Sequence, residues 1–234
     1  MQVAEQMADY LLTGAITNAL NMPSVSAEDA PKLRPYMQLA DQLGSFAGQL
    51  TEHGLKSVQI EYAGDVADLN TKPLTAILLQ GLLKPLLESV NMVNAPVIAK
   101  ERDIRVTEVR GGASPEYHTL IRLTVTTDER ARTVSGTLFA GQKPRIVEIK
   151  GIPIEAELGP NVLYVTNEDK PGFIGRLGSL LGEEGVNIAT FHLGRSEAGG
   201  DAIALVLVDE PISEALVAKV RQIPLVVQAK ALRF

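Results

Sequence analysis

Residues 161–234 constrain the fold of this chain more than any other stretch, because their apolar spacing switches period in a set order. A strand is expected over 162–166 and a helix over 173–184, ended by Gly185. Two strands follow over 187–193 and 201–208, then a helix over 213–222 and a last strand over 226–232. Periods of 2 and 3.6 demand different backbones, so these residues impose the order β-α-β-β-α-β. That order predicts a split βαβ arrangement, with four strands carrying two helices on one face. The other face, or an edge strand with unpaired N–H and C=O groups, is left for a partner.

Upstream the rhythm differs. A helix over 4–20 carries two apolar stripes, Val3, Met7, Leu11 and Leu12, Ile16, Leu20. That is more than a peripheral helix buries, and it suits either a helix wedged between two partners or one packed on a domain lying upstream. Residues 21–32 read as a linker with a capping box from Ser26 to Asp29. A helix over 36–52 stops at Gly54, and a strand over 57–64 alternates Val58, Ile60 and Tyr62. Over 71–92, Leu74, Leu78, Leu82 and Leu86 recur at four-residue intervals on a helix that Pro85 is expected to kink. A short helix is expected over 97–102. From 104 to 157 the period becomes that of strands, including a tight hairpin turn at Lys150-Gly151. The domains expected are therefore a helix and linker over 1–23, an α+β domain over 24–158 and the βαββαβ unit over 161–234, hinged at Gly159-Pro160. The fold class is α+β, the last unit being ferredoxin-like.

Composition narrows the function. Net charge is −6, which disfavours nucleic acid as a partner. Residues 100–150 nevertheless hold ten Lys and Arg against seven Asp and Glu, either a solvated surface or an anion-binding patch. No apolar run is long enough for a membrane span and no secretory signal is visible. The absence of cysteine suits a reducing cytoplasm. No dinucleotide fingerprint, Walker loop or zinc spacing is present, so no catalytic residue and no metal ligand is expected. GRLGSLLG (175–182) has the wrong spacing for a phosphate loop, and its Gly178 is expected to admit close helix–sheet packing. His53, His118 and His192 are isolated from one another.

The stretch NEDKPGFIGRLGSLLGEEGVNIATFHLGR (167–195) holds the groups expected to bind a ligand. A strand delivers Asp169 into a loop that Pro171-Gly172 turns into a helix. Helix starts present unpaired N–H groups to a carboxylate, Gly172 permits close approach, and Asp169 can neutralise an ammonium. Asn187 supplies a donor and an acceptor. These groups match the zwitterion of a small amino acid; the alternative is that Asp169 caps the helix and Asn187 shapes the turn after Gly185.

The same stretch resembles the ACT domain, a ligand-sensing module, through its Pro-Gly turn and the Gly185-Val186-Asn187-Ile188 frame. VNAPVIAKERDI (93–104), TVSGTLFAG (133–141) and RIVEIKGIPIEAEL (145–158) resemble the intervening domain of long-form D-3-phosphoglycerate dehydrogenases, and EQMADYLLTGAITNALNMP (5–23) is similar to the segment leaving their substrate-binding domain. The resemblance implies a C-terminal portion only, with the NAD-binding turn and catalytic residues belonging to parts that have no counterpart here. Such enzymes oxidise 3-phosphoglycerate with NAD in serine biosynthesis, and serine inhibits many of them through paired ACT domains. The resemblance further implies that Asp169 and Asn187 bind L-serine, with Asn167, where the family carries His or Tyr, also lining the site. It implies homo-oligomerisation, and an anion site on the intervening domain to which Arg145 and Lys150 contribute. An assembly module without ligand sensing is the alternative.

Overall fold

The computed structural model describes residues 2–13, 25–26, 28–52, 54–112 and 116–234. The chain divides into two compact units, Met1–Arg145 and Ile146–Phe234.

In the first unit, α1 spans Gln2–Thr13. Val3, Met7, Leu11 and Leu12 of the two expected stripes are exposed on it, whereas Ile16 and Leu20 lie outside the described residues. Half of the expected capping box is formed, with Ser26 Oγ accepting from the Asp29 N–H at 3.0 Å; the same hydroxyl donates to the Asp29 carboxylate at 2.7 Å. The helix behind it, α2 (Ala30–Gln49), starts earlier than expected. Pro31 falls in its first turn, where a missing N–H costs nothing, and Pro35 is carried inside it. After β1 (Leu55–Gly64) and a 3-10 turn at Asp65–Asp68 comes α3 (Lys72–Leu83). The helix ends at Leu83 rather than running through a kink at Pro85: Lys84 still has helical φ and ψ, but Pro85 has no N–H to carry the hydrogen-bond ladder on. Leu74, Leu78 and Leu82 are fully buried, while Leu86, beyond the helix end, is exposed. The helix α4 (Ala95–Glu101) leads into β2 (Arg105–Arg110), β3 (Thr119–Thr127) and β4 (Ala131–Phe139). The strand order is β2-β1-β3-β4, with β2 parallel to β1 and the other pairs antiparallel.

Two contacts explain why α2 and α3 pack so closely. A Cβ on Gly44 would overlap the Leu78 carbonyl, and one on Gly81 would stand 2.7 Å from the Asp41 carbonyl oxygen. Nearby, the buried Tyr62 hydroxyl bonds to Thr75 Oγ1 at 2.8 Å, and Thr75 Oγ1 donates to Glu108 at 2.6 Å. Burial raises the Tyr62 phenol well above its ordinary pKa, with the Glu108 charge acting in the same direction.

The strand β5 (Lys143–Ile149) crosses the division, and its end in the second unit forms a hairpin with β6 (Ile152–Ala156). The turn residues Lys150 and Gly151 have φ of 54° and 79°, the left-handed pair that matches strand twist in a two-residue hairpin. Then follow β7 (Asn161–Glu168), α5 (Phe173–Glu183), β8 (Ile188–Arg195), β9 (Asp201–Val208), α6 (Glu214–Arg221) and β10 (Val226–Arg233). The strands form one antiparallel sheet, β10-β7-β9-β8, so the ferredoxin-like order read from residue spacing is the one observed.

Phe173, Leu177 and Leu181 of α5, at helical spacing, join Leu216, Val217 and Val220 of α6 over Leu163, Val165, Ala204 and Val206 of the sheet. Each fully buried leucine contributes about 1.5–3 kcal/mol. Ser213 caps α6 by accepting from the Leu216 N–H at 3.2 Å. Gly178 does not mediate helix–sheet packing, since a Cβ there meets nothing within 4 Å. The close approach lies at Gly194 on β8, where a Cβ would run into the Pro153 carbonyl of β6. The β5–β6 hairpin therefore packs with the second unit, which begins upstream of Gly159-Pro160.

Candidate functional site

The end of β7 feeds a loop that the neighbouring β8–β9 turn clasps. The Asp169 N–H donates to the Gly200 carbonyl at 2.8 Å. Its carboxylate accepts from the Gly199 N–H at 3.2 Å and from Arg195 Nη1 at 2.9 Å. The Gly199 N–H, with Arg195 adding a second bond and its charge, holds the Asp169 carboxyl below its ordinary pKa. Three residues on, Gly172 has φ of 102° and starts α5 with no side chain capping the helix. The N–H groups of the first turn are thus presented at the surface. The Arg176 guanidinium lies beside them, 3.9 Å from where a Cβ on Gly172 would stand. This helix start suits a carboxylate, from backbone dipoles and a cation together.

Asn187 is not there. Its Nδ2 donates to Asp209 at 2.7 Å and its N–H to Glu210 at 3.1 Å. These acids follow the end of β9, whereas the Asp169 clasp lies where β9 begins. Strand rise separates the two ends by roughly 23 Å. A single chain therefore does not bring Asp169 and Asn187 onto one ligand, because antiparallel pairing of β8 with β9 puts the start of one strand against the end of the other.

Asn167 belongs to a third place. It is only 3 % exposed; its Nδ2 donates to the Glu168 carbonyl at 2.8 Å, while its buried Oδ1 meets no donor among the described residues. It lines a cleft of about 240 Å³ within the second unit, together with Lys150, Ile152, Thr166, Ser196 and Asp201. The structure thus joins Asn167 to Lys150, two residues expected in separate sites. Arg145 does not line this cleft; its Nη1 donates to the Pro144 carbonyl at 3.0 Å.

Two family descriptions match the chain: the D-3-phosphoglycerate dehydrogenase intervening domain over residues 32–150 and the ACT domain over residues 161–225. The chain belongs to the D-3-phosphoglycerate dehydrogenase family. It is 35 % identical to D-3-phosphoglycerate dehydrogenase of Bacillus subtilis (strain 168) over 230 residues, covering 98 % of this chain and 44 % of that protein. The enzyme of the same name from Methanocaldococcus jannaschii is 34 % identical, with 95 % and 42 % covered. That of Synechocystis sp. is 35 % identical, with 95 % and 41 % covered. The chain thus spans less than half the length of these relatives.

Within the ACT domain, Arg195, Gly199, Gly200 and Arg176 escaped the reading of the sequence. The Gly-Gly pair in SEAGGD (196–201) is the local sign of a tight turn, but only the pairing of β7 with β9 shows that this turn closes on Asp169. Among the described residues, no helix is long and apolar enough to cross a membrane.

Proposed function

We propose that this chain is the regulatory C-terminal part of a D-3-phosphoglycerate dehydrogenase, binding L-serine at its ACT domain and holding copies of the chain together. The observation that carries the reading is the uncapped start of α5 at Gly172, with Arg176 and the ion-paired Asp169 beside it. The ligand carboxylate docks on the first-turn N–H groups and its ammonium on Asp169.

A second copy supplies the missing amide. In the sheet order β10-β7-β9-β8, β8 is an edge strand. Two such edges paired antiparallel about a two-fold axis place Asn187 of one copy next to Arg195 of the other. Since Arg195 holds Asp169, the ligand then lies at the seam between Asp169 of one chain and Asn187 of the other. Binding regulates only if serine favours one arrangement of the assembled enzyme, and a coupling of about 1–3 kcal/mol is typical. Oxidation of 3-phosphoglycerate with NAD, in the cytoplasm, falls to the part of the relatives that this chain does not span.

Calorimetry with L-serine, alongside sedimentation of the same samples, tests the reading. Saturable binding by a dimer or larger oligomer, lost in Asn187→Ala, is expected. An oligomer that binds no amino acid would instead establish the chain as an assembly module.

A further inference from the structure

The clasp on Asp169 holds that side chain from two elements at once. The Gly199 N–H of the β8–β9 turn and the Arg195 guanidinium at the end of β8 both bond to its carboxylate. Both bonds fall on the same oxygen, Oδ2. Among the described residues Oδ1 therefore has no donor, and it is open to solvent. The backbone is pinned as well, since the Asp169 N–H donates to the Gly200 carbonyl at 2.8 Å. Gly199 reaches Asp169 with φ of 79°, a conformation that glycine adopts without a Cβ penalty. The other acid of the loop is already neutralised, because Glu168 pairs with Lys170.

Arg195 is 58 % exposed, and an ion pair this open to water contributes little to stability. Fixing a carboxylate before its ligand arrives is a different matter, since it removes an ordering cost from binding. We infer that Arg195 is the positioning residue of the effector site: by holding Asp169 Oδ2 against the β8–β9 turn, it aims Oδ1 at the ammonium of the bound amino acid. This role rests on the reading of Gly172 and Asp169 as an L-serine site, and it adds to that site a residue that acts without touching the ligand. With Oδ2 taken, the ammonium meets a single, fixed acceptor on Asp169. The same guanidinium, with the Gly199 N–H, keeps that carboxylate ionised by holding its pKa below the ordinary value.

The test is calorimetry with L-serine on the full chain, with sedimentation of the same samples. Wild type is compared with Arg195→Gln, Arg195→Lys, Asp169→Asn and the double variant Asp169→Asn/Arg195→Gln. Arg195→Gln should weaken binding by roughly tenfold and leave the oligomer unchanged. Arg195→Lys, which keeps a cation beside Oδ2, should recover part of that loss. Because Arg195 acts through Asp169, adding Arg195→Gln to Asp169→Asn should cost almost nothing further. Equal losses in both backgrounds mean that Arg195 contacts the ligand itself, and they overturn the inference. Wild-type affinity in Arg195→Gln overturns it too, as does a loss that comes with dissociation of the oligomer, because Arg195 then acts on the β8 edge. If Asp169→Asn binds too weakly to measure, Arg195→Lys decides: recovery upholds the positioning role, and binding as weak as that of Arg195→Gln overturns it. No saturable heat in the wild type is a separate failure, which removes the L-serine reading and the role of Arg195 with it.

Discussion

Replacing Gly194 with alanine should destabilise the chain, although a glycine in a strand is normally the weaker choice. An alanine there removes backbone freedom from the unfolded chain, a gain of about 0.5–1 kcal/mol. Against that gain stands the β5–β6 hairpin. The new Cβ would lie 3.0 Å from Ile154 Cβ and 3.2 Å from Ile152 Cγ2, and it would run into the Pro153 carbonyl. Ordinary contact begins at 3.4 Å, so the side chains alone must give by tenths of an ångström, and the backbone carbonyl by more. Ile152 and Ile154 are 6 % and 5 % exposed and have little room to yield. Overpacking costs about 1–3 kcal/mol, and with a backbone carbonyl among the overlapped groups the upper part of that range, about 2–3 kcal/mol, applies, leaving a net loss of about 1–2.5 kcal/mol. In a chain of this length that lowers Tm by roughly 2–10 °C. Gly178→Ala is the control, since its Cβ meets nothing within 4 Å and alanine is the better helix former. It should raise stability by about 0.5–1 kcal/mol. Scanning calorimetry on the two variants decides the matter. If both shift Tm in the same direction, the hairpin does not pack on β8 as described.

Two further predictions concern charge and hydrogen bonding. Arg195→Ala should raise the Asp169 carboxyl pKa towards its ordinary value, read by NMR titration, because it removes one of the bonds that hold it down. With that pKa depressed in the folded chain, the clasp stabilises above the unfolded pKa of the carboxyl and is lost as pH falls through the folded one; the variant should lose this part of its acid sensitivity. Tyr62→Phe should cost about 1–3 kcal/mol in denaturant melts, because it removes a buried bond to Thr75 and strips Thr75 of one partner. A melt indistinguishable from wild type would show that the network contributes nothing.

Local rules carried the second unit a long way. The strand over 162–166 and the helix over 173–184 were legible as elements, and the burial of Phe173, Leu177 and Leu181 at helical spacing agrees with them; the strand itself does not alternate, since Val162, Leu163, Tyr164 and Val165 are all fully buried. The early start of α2 was hidden because prolines at 31 and 35 look like a linker, yet a first-turn proline needs no N–H partner. Pro85 was read as a kink where no helix continued beyond it. The ligand groups were harder. Asp169, Asn167 and Asn187 lie within one short stretch, and nearness in sequence invited a single site. Strand pairing sends them to three places: the Arg195 clasp, the Lys150 cleft and the Asp209 turn. Register over long separations decides this, and no local pattern encodes it.

Mixing two inactive variants tests the central claim most directly. Asp169→Ala and Asn187→Ala, each purified alone, should bind L-serine weakly at the seam. A mixed pair contains one seam site with both Asp169 and Asn187 intact, and random co-assembly of equal amounts makes half of the pairs mixed, so mixing should restore about one such site for every four chains. If mixing restores none while the mixed oligomers form, Asp169 and Asn187 do not meet across the β8 edge, and the effector site is not where we place it.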